Sequence, residues 1–179
     1  VFDSQNELGR LADERIYQAD LAARLRAEGV DVRQEVEVEL SYLDYHKSLF
    51  LDLLVAEIAV YELKAVESLN RAHVAQLLTY LYLLDASHGK LINFRAARVE
   101  SKFVNATHRI RERRAFGVVD EEFCEHDDFR ELVLGMVRDW GTSLSGTIYE
   151  DAIVGLLGGR GIVEIMHPLV RNGIALGTQ

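Results

Sequence analysis

One apolar run, FLDLLVAEIAVYELKAV over residues 50–66, constrains the fold of this 179-residue chain more than any other stretch. The run is interrupted by Asp52 and by the triplet Glu62-Leu63-Lys64. Burying even a neutral polar group without a partner costs about 2–7 kcal/mol. These charged residues therefore either lie in water at a strand end or compensate one another inside a site.

The spacing within this run predicts which residues meet. Residues 49–55 and 58–65 read as two buried strands. In an antiparallel hairpin, two residues lie side by side when their numbers add up to twice the turn centre. Asp52 and Glu62 meet this condition for a turn centred on Glu57, which places their Cβ atoms about 5 Å apart. Because side chains alternate along a strand, Lys64 shares the face of Glu62.

Two carboxylates at this separation repel each other, so one takes up a proton or a cation lies between them. Mg²⁺ suits such a position, since it prefers a few carboxylates, waters and phosphate oxygens. The Lys64 ammonium would position or help to deprotonate a water and neutralise charge that grows on a phosphate. The motif ELK alone is common at exposed strand ends. The presence of Asp52 at the matching position makes a catalytic role of the motif more credible. The set predicts metal-assisted hydrolysis of phosphodiester bonds.

Hydrophobic periodicity predicts an α-β-β-β-α-β core in a mixed α/β fold. Gly29 is the expected stop of the first helix, and residues 40–49, LSYLDYHKSL, are expected to be a connection. In VRQEVEVEL, the apolar residues alternate with charged ones, as in a half-exposed strand. The predicted elements are a helix over 5–28, a strand over 32–40, strands over 49–55 and 58–65, a helix over 69–85 ended by SHG at 87–89, a strand over 90–94 and a weaker strand in RVESKFV.

The C-terminal third is predicted to add two helices, 127–140 and 144–157, and a terminal hairpin. The hairpin strands are expected at 162–166 and 173–177, with Pro168 between them. We expect residues 1–115 to form the core and residues 116–179 to form an extension.

The extension resembles the N-terminal segment when the chain is shifted by 132 residues. Gly146 then stands opposite Glu14, so the second copy lacks that acid. Amphipathic helices give a few such matches by chance, and both interpretations stay open. The apolar residues Ile148, Ile153, Leu156 and Leu157 are expected to pack on the same chain, with a homodimer contact as the alternative. The matched pairs are Gly9/Gly141, Ile16/Ile148, Tyr17/Tyr149, Leu25/Leu157 and Gly29/Gly161.

Three further polar residues accompany the predicted site. Gln76 and Tyr80, one turn apart, share the stripe that should face the sheet, although a buried pair of this kind could merely hydrogen-bond to each other. His73 on the same stripe fits a satisfied core or rim histidine better than a ligand. The stripe consists of Leu69, His73, Leu77, Leu81 and Leu84.

Taken together, these residues resemble the PD-(D/E)xK nuclease superfamily. The similar positions are Glu14, Asp52, Glu62-x-Lys64 and Gln76-x-x-x-Tyr80, and the last element is similar to the RecB-like and lambda-exonuclease-like branches. More closely, the chain is similar to the bacterial GxxExxY proteins. Leu11 stands where the naming glycine belongs. The further similar stretches are Glu14-Arg15-Ile16-Tyr17, DLLV, ELKAV, AQLLTYL and LINF, within about residues 7–105.

This resemblance implies a restriction-endonuclease-like fold in which Asp52, Glu62 and the carbonyl of Leu63 hold Mg²⁺ or Mn²⁺. It implies Lys64 as the catalytic lysine and Glu14 as an outer acid of the catalytic site. It also implies Gln76 as a substrate or site-ordering contact, with Tyr80 as a further substrate contact. The departure at Leu11 concerns the helix start and leaves these acids in place.

The expected function is therefore a Mg²⁺-dependent nuclease that acts on DNA. The alternative is a non-catalytic nucleic-acid-binding or protein-assembly module that retains the fold. A net charge of −9 argues against indiscriminate binding to phosphate backbones. Residues 95–114, however, hold seven basic and two acidic residues, a local balance of +5 that fits either a nucleic-acid contact or a solvated connection.

Cellular location follows from two compositional features. Nothing in the sequence approaches the roughly 20 apolar residues of a membrane helix, and the polar N-terminus is unlike a signal peptide. Cys124 is the only cysteine, so an internal disulfide cannot form. We expect a cytoplasmic protein with a structural thiol.

Overall fold

The computed structural model describes residues 1–118, 127–163, 168–171 and 174–178, and Cys124 lies outside them. None of the described helices has the length and hydropathy that a membrane-spanning segment needs. The helices are α1 Phe2–Leu8, α2 Glu14–Ala27, α3 Arg71–Leu83, α4 Ile110–Arg114, α5 Asp127–Trp140 and α6 Gly146–Leu156. The strands are β1 Val32–Tyr42, β2 Tyr45–Val55, β3 Ala59–Lys64, β4 His88–Asn93, β5 Glu100–Asn105, β6 Pro168–Arg171 and β7 Ile174–Thr178.

The main sheet has five strands in the order β1-β2-β3-β4-β5. Its pairs are antiparallel except for β3 and β4, which run parallel and are joined through α3. A parallel pair needs such a crossover, because the chain must return to the starting edge of the sheet. The predicted mixed fold and the α-β-β-β-α-β order are confirmed.

The predicted connection over residues 40–49 is wrong. β1 and β2 continue through it as one long hairpin and meet at a two-residue turn, with Tyr42 opposite Tyr45. Leu43 in this turn has a φ of 49°, the left-handed region that such tight turns require. The turn was missed because glycine or asparagine, rather than leucine, is the usual residue there.

The single first helix predicted over residues 5–28 is also wrong. Gly9 has a φ of 77° and ends α1, and α2 begins only after Asp13. At the other end the prediction holds, since Gly29 follows α2 with a φ of 77°. The break lets α2 begin at Glu14, beside the ends of the central strands.

The predicted role of Gly89 is also wrong. Gly89 was expected to end the second helix within SHG, but it lies inside β4, which begins at His88. A Cβ at this position would lie 2.8 Å from the Val60 carbonyl oxygen and 2.9 Å from a methyl group of Leu77. Glycine is therefore needed because β4 passes close to β3 and α3.

Helices cover the main sheet on both sides. One cluster packs α2 against the sheet, and a second packs α3 against it. A third joins β1 and α3 to the C-terminal helices. The buried members of the third cluster are Leu40, Tyr82, Met136, Trp140, Leu144, Ile148 and Ala152.

The C-terminal helices thus pack on the same chain, although less completely than predicted. Ile148 is buried, whereas Leu157 is 39% exposed and lies just beyond the end of α6. The predicted strand over residues 162–166 is wrong for Ile162 and Val163, which lie outside any strand; residues 164–167 lie outside the described part of the chain. The hairpin is instead formed by β6 and β7, which make a separate two-stranded sheet.

Candidate active site

The central strands bring the predicted acids to one end of the sheet. β2 and β3 pair antiparallel in a register centred on Glu57, as predicted. Asp52 lies one step beyond the last ladder pair, across from Glu62. β4 runs parallel to β3, so its last residue, Asn93, lies beside Lys64.

The Asp52 carboxylate is fixed by the neighbouring strand. Its Oδ2 accepts a hydrogen bond of 2.6 Å from the Leu63 backbone N–H. Burial raises the pKa of Asp52 to about 6, although the Leu63 bond and the Lys64 charge act in the opposite direction. Glu14 and Glu35 add repulsion that favours the protonated form. Asp52 is therefore an acid that a nearby cation would ionise fully.

Glu62 is almost completely buried, at 1% exposure. Its Oε1 accepts a hydrogen bond of 2.7 Å from Lys64 Nζ, while its Oε2 is buried and has no hydrogen-bond partner among the described residues. Burial, followed by the charge of Asp52, raises the pKa of Glu62 to about 8. A buried carboxylate oxygen without a donor is costly, and a cation or a proton would stabilise it.

Lys64 lies between three carboxylates. Burial lowers the pKa of Lys64, but the charges of Glu62, Glu14 and Asp52 outweigh burial and raise it. The side chain is therefore an ammonium at neutral pH, with 9% of the residue exposed. It can neutralise negative charge and hold a water or a phosphate oxygen, but in this state it cannot accept a proton.

Glu14 brings α2 into contact with the site. Its Oε2 accepts a hydrogen bond of 3.2 Å from the Ala65 backbone N–H, and its Oε1 lies 3.7 Å from Lys64 Nζ. The side chain is 40% exposed, so this ion pair is screened by water. Glu14 thus lies at the rim of the acid cluster and fixes the end of β3.

The α3 residues differ from each other. Tyr80 is buried, and its hydroxyl donates a hydrogen bond of 2.7 Å to the Phe50 carbonyl, two residues before Asp52. Burial raises the pKa of Tyr80, and the charges of Glu62 and Asp52 raise it further. Gln76 lies close enough to Tyr80 to affect the pKa of its hydroxyl but is exposed, which contradicts its predicted place on a sheet-facing stripe. The buried line of α3 runs instead through residues such as Leu77, Tyr80 and Leu81.

The other polar residue of the stripe, His73, caps a helix. Its Nδ1 accepts a hydrogen bond from the Asn70 backbone N–H, and the Asn70 side chain accepts from two backbone N–H groups of the first turn. This capping box begins α3. His73 is therefore a satisfied rim residue, as the sequence favoured, while Leu84 at the far end is 39% exposed.

A groove of about 430 Å³ adjoins these α3 residues. Gln76 and Tyr80 form one wall, and Ser145 and Thr147 at the start of α6 form the other. The remaining lining residues are Leu49, Ala72, Ala75, Thr79 and Ile148.

A profile of the PD-(D/E)XK nuclease superfamily matches residues 1–105, which include every predicted site residue. The chain belongs to the PD-(D/E)XK nuclease superfamily. The match extends over more than half of the chain and stops at the end of β5. Membership indicates a nuclease-type function.

Two further comparisons add less. Among solved structures, the crystal structure of SSO0001 is similar at 18% sequence identity with a TM-score of 0.42. The similarity covers 70% of this chain and 56% of that one, so the chain spans little more than half of that protein's length. No curated protein matches this superfamily member significantly.

The donors in this PD-(D/E)XK protein fit a divalent cation. Glu62 offers a buried oxygen without a partner, and Asp52 lies across from it. The Phe94 N–H donates to the Lys64 carbonyl, so the main-chain groups of the preceding Leu63 point away from β4, toward Asp52. Within the described ranges, no three His, Cys, Asp or Glu side chains converge into a metal cage. A cation here would therefore also need carbonyl, water or substrate oxygens.

Two buried amides of the site were missed in the sequence. Gln18 Nε2 donates a hydrogen bond of 2.8 Å to the Asp52 carbonyl, and Asn93 Oδ1 accepts from the Val66 and Arg95 backbone N–H groups. Both residues are nearly inaccessible, at 4% and 0% exposure. The position of Gln18 four residues after Glu14 was the available clue, since such residues share a helix face.

Part of the basic segment over residues 95–114 serves the fold, while Arg98, Lys102 and Arg111 are exposed and a nucleic-acid contact there stays a prediction. Arg113 is 2% exposed, donates to the carbonyls of Thr142, Tyr82 and Trp140, and lies over the Tyr82 ring. Two more of its arginines also bind carbonyl oxygens: Arg109 that of Asp85 and Arg114 that of Asp139. Arg113 therefore joins α3 to the end of α5 and the loop before α6, whereas Arg109 contacts the turn after α3 and Arg114 contacts the end of α5.

Proposed function

We propose that this PD-(D/E)XK protein is a metal-dependent nuclease that hydrolyses DNA phosphodiester bonds at the Asp52–Glu62–Lys64 cluster. The observation that supports it most is the buried Glu62 oxygen without a hydrogen-bond donor, next to a second carboxylate and a charged lysine. A structural ion pair would satisfy both oxygens. A site that holds a cation leaves one oxygen free for it.

The proposed ligands are the carboxylates of Asp52 and Glu62 and the carbonyl of Leu63. A bound Mg²⁺ or Mn²⁺ would supply Lewis-acid stabilisation of the phosphate and lower the pKa of a water. Asp52 and Glu62 orient their oxygens through the Leu63 and Lys64 contacts. Burial excludes bulk water, which strengthens every charge interaction within the site.

Lys64 and Glu14 complete the proposed chemistry. The Lys64 ammonium neutralises charge that develops on the phosphate oxygens and holds the attacking water. Glu14 adds to the effect of Glu62 in keeping Lys64 charged, and it fixes the end of β3 through Ala65. On the substrate side, Tyr80 supports the Phe50 backbone, and the exposed Gln76 is the α3 residue available to touch the nucleic acid.

The test is incubation of the purified protein with single-stranded DNA, double-stranded DNA and RNA, with Mg²⁺ or Mn²⁺. Lys64→Met is expected to lower cleavage about 10²–10³-fold, because it removes charge stabilisation of the transition state. Lys47→Met is the control, since Lys47 pairs with Asp151 on α6 and should leave cleavage unchanged. Cleavage undiminished in Lys64→Met, or no cleavage of any substrate, contradicts the proposal.

The substitution Asp52→Asn distinguishes a role of the Asp52 charge in metal binding from a structural role of its hydrogen bond. Asparagine keeps an oxygen for the Leu63 N–H, so the metal-free variant should be as stable as the wild type or slightly more stable. Cleavage should be lost. A large drop in melting temperature would instead assign Asp52 a structural role.

A second candidate is a non-catalytic assembly module. It is favoured by the net charge of −9 and by the use of Arg109, Arg113 and Arg114 as internal supports. Such a protein would bind neither DNA nor RNA at low salt, whereas salt-sensitive binding supports the nuclease.

We also propose that residues 1–115 form the nuclease unit and residues 116–179 an extension that buttresses it. The third cluster supports this division, since Met136 and Trp140 of α5 and Ile148 and Ala152 of α6 are buried against β1 and α3 of the same chain. A homodimer is therefore not needed to cover them. The homodimer itself stays a prediction, which light scattering in solution can test.

A further inference from the structure

Asp52 lies at an irregularity of the main sheet. The β1–β2 ladder omits the Glu35–Asp52 pair, and the β2–β3 ladder stops one residue short of Asp52. Glu35 has a φ of 48°, which is uncommon for a residue inside a strand. The catalytic strand is thus unpaired at the residue proposed to hold the metal.

The irregularity also switches the faces of the sheet toward which the side chains of β2 point. Side chains two residues apart normally face the same side of a sheet. Leu53, however, packs in the α2 cluster, whereas Leu51 packs in the α3 cluster. On β1, Val32 and Val36 are divided between the two clusters in the same way. The backbone at Asp52 is therefore turned, and the regular ladder does not determine its orientation.

Gln18 of α2 binds the backbone of β2 at this unpaired residue. Its Nε2 donates to the Asp52 carbonyl at 2.8 Å, and the residue is 4% exposed. One turn earlier on the same helix, Glu14 binds the Ala65 N–H at the end of β3. One face of α2 thus holds both strands that carry the acids.

We propose that Gln18 is a positioning residue for the metal site, which it serves by fixing the backbone of Asp52. The inference rests on the proposed function. Without the amide, the Asp52 carbonyl would be left without its donor, and the backbone would turn toward Glu35. The carboxylate would turn with it, away from the Leu63 N–H and from Glu62.

The test measures Mn²⁺ binding by calorimetry, without DNA. Gln18→Met keeps the side-chain volume and removes the donor, and it is expected to weaken Mn²⁺ binding about 10–100-fold. Gln5→Met is the matched control, because Gln5 is also buried and donates to the Phe94 and Ala96 carbonyls. It should keep wild-type Mn²⁺ affinity within about twofold, a margin well below the 10-fold effect of a lost supporting contact.

The outcomes separate the two proposals. Wild-type Mn²⁺ binding with unchanged affinity in Gln18→Met overturns the role of Gln18 alone. Equal weakening in both glutamine variants overturns it too, since that would reflect general loosening. Absence of Mn²⁺ binding by the wild type overturns the metal site together with this role. If Gln18→Met does not fold, Gln18→Asn, which keeps an amide but shortens the reach of its donor by one methylene, is expected to show the same weakening.

Discussion

α2 and α6 begin in the same way, but α2 contacts the catalytic strands beside the acids, whereas α6 contacts β2 near its start, where Asp151 pairs with Lys47. Gly9 and Gly141, 132 residues apart, have φ values of 77° and 78°. Eight residues after each glycine, a tyrosine hydroxyl donates to that glycine's carbonyl: Tyr17 to Gly9 and Tyr149 to Gly141. The helices themselves start at equivalent positions, at Glu14 and at Gly146.

The difference lies in what each helix start presents to its neighbours. α2 carries Glu14 and Gln18, which bind β3 and β2. At the equivalent positions α6 carries Gly146 and Glu150, both exposed. Its surroundings are structural, since Gly141 packs against the buried Arg113. The same local architecture thus supports a candidate site in one place and a structural contact in the other. Whether the two segments are a true repeat stays a prediction.

The largest expected effect concerns pH, because within the described part of the chain buried carboxylates with raised pKa values occur only at the site beside α2, on β2 and β3. Between an ordinary carboxyl pKa of about 4 and the folded values of about 6 for Asp52 and about 8 for Glu62, the native state binds more protons than the unfolded state. The free energy of unfolding of the metal-free protein should therefore fall as pH rises from about 5 to 8, by on the order of 3–6 kcal/mol. Thermal melts across this range check it.

Glu62→Gln should flatten that pH dependence. On α6, Asp151 behaves oppositely, because the hydrogen bond from Lys47 lowers its pKa. Its contribution to stability is present above about pH 4 and is lost as pH falls further, so it lies outside the window tested. Stability that rises between pH 5 and pH 8 would contradict the assignment.

The next effect distinguishes the two glycines. Gly9→Ala should cost about 1–2 kcal/mol, because a left-handed conformation strains alanine while the added Cβ meets nothing within 4 Å. Gly141→Ala should cost about 2–4 kcal/mol, since its Cβ would also lie 2.8 Å from the Arg113 Cβ. Urea unfolding measures both. Equal losses would show that the Arg113 contact relaxes freely.

The third test exchanges the residues that differ. Glu14→Gly makes α2 resemble α6 and should lower nuclease activity about 10–100-fold, as loss of a supporting contact to a metal site does. Gly146→Glu is the reverse exchange and should leave activity unchanged, because the position is exposed and an added Cβ meets nothing within 4 Å. Similar activity in both variants would remove Glu14 from the catalytic site.

The smallest effect concerns the shared tyrosine bond. Tyr17→Phe and Tyr149→Phe each remove a hydrogen bond to a glycine carbonyl, and each should lower the free energy of unfolding by about 1 kcal/mol. Tyr149→Phe should cost slightly more, because the Tyr149 hydroxyl also accepts a hydrogen bond of 3.4 Å from the Leu144 N–H. The Tyr17 ring stays stacked on Phe94 and the Tyr149 ring stays near Trp140. Denaturant melts of both variants check the equivalence, and a loss confined to one would break the comparison.

Several features of this protein were determined by the sequence alone. The order of the core elements and the β2–β3 register about Glu57, which places Asp52 across from Glu62, follow from periodicity and spacing, which are local properties. Gly29 likewise ended its helix as predicted. The motif residues Glu14, Asp52, Glu62 and Lys64 pointed to the superfamily that the profile match then showed.

Tertiary structure decided the rest. The surfaces that α2 and α3 present to the sheet decide three features. They are the change of side-chain face in β2 at Asp52, the hydrogen bond from Gln18 to the Asp52 carbonyl and the exposure of Gln76. The raised pKa of Glu62 depends first on how deeply the packed helices and strands bury it. Hydrophobic spacing encodes the faces of single elements, but burial and hydrogen-bond partners arise only when those elements pack against one another.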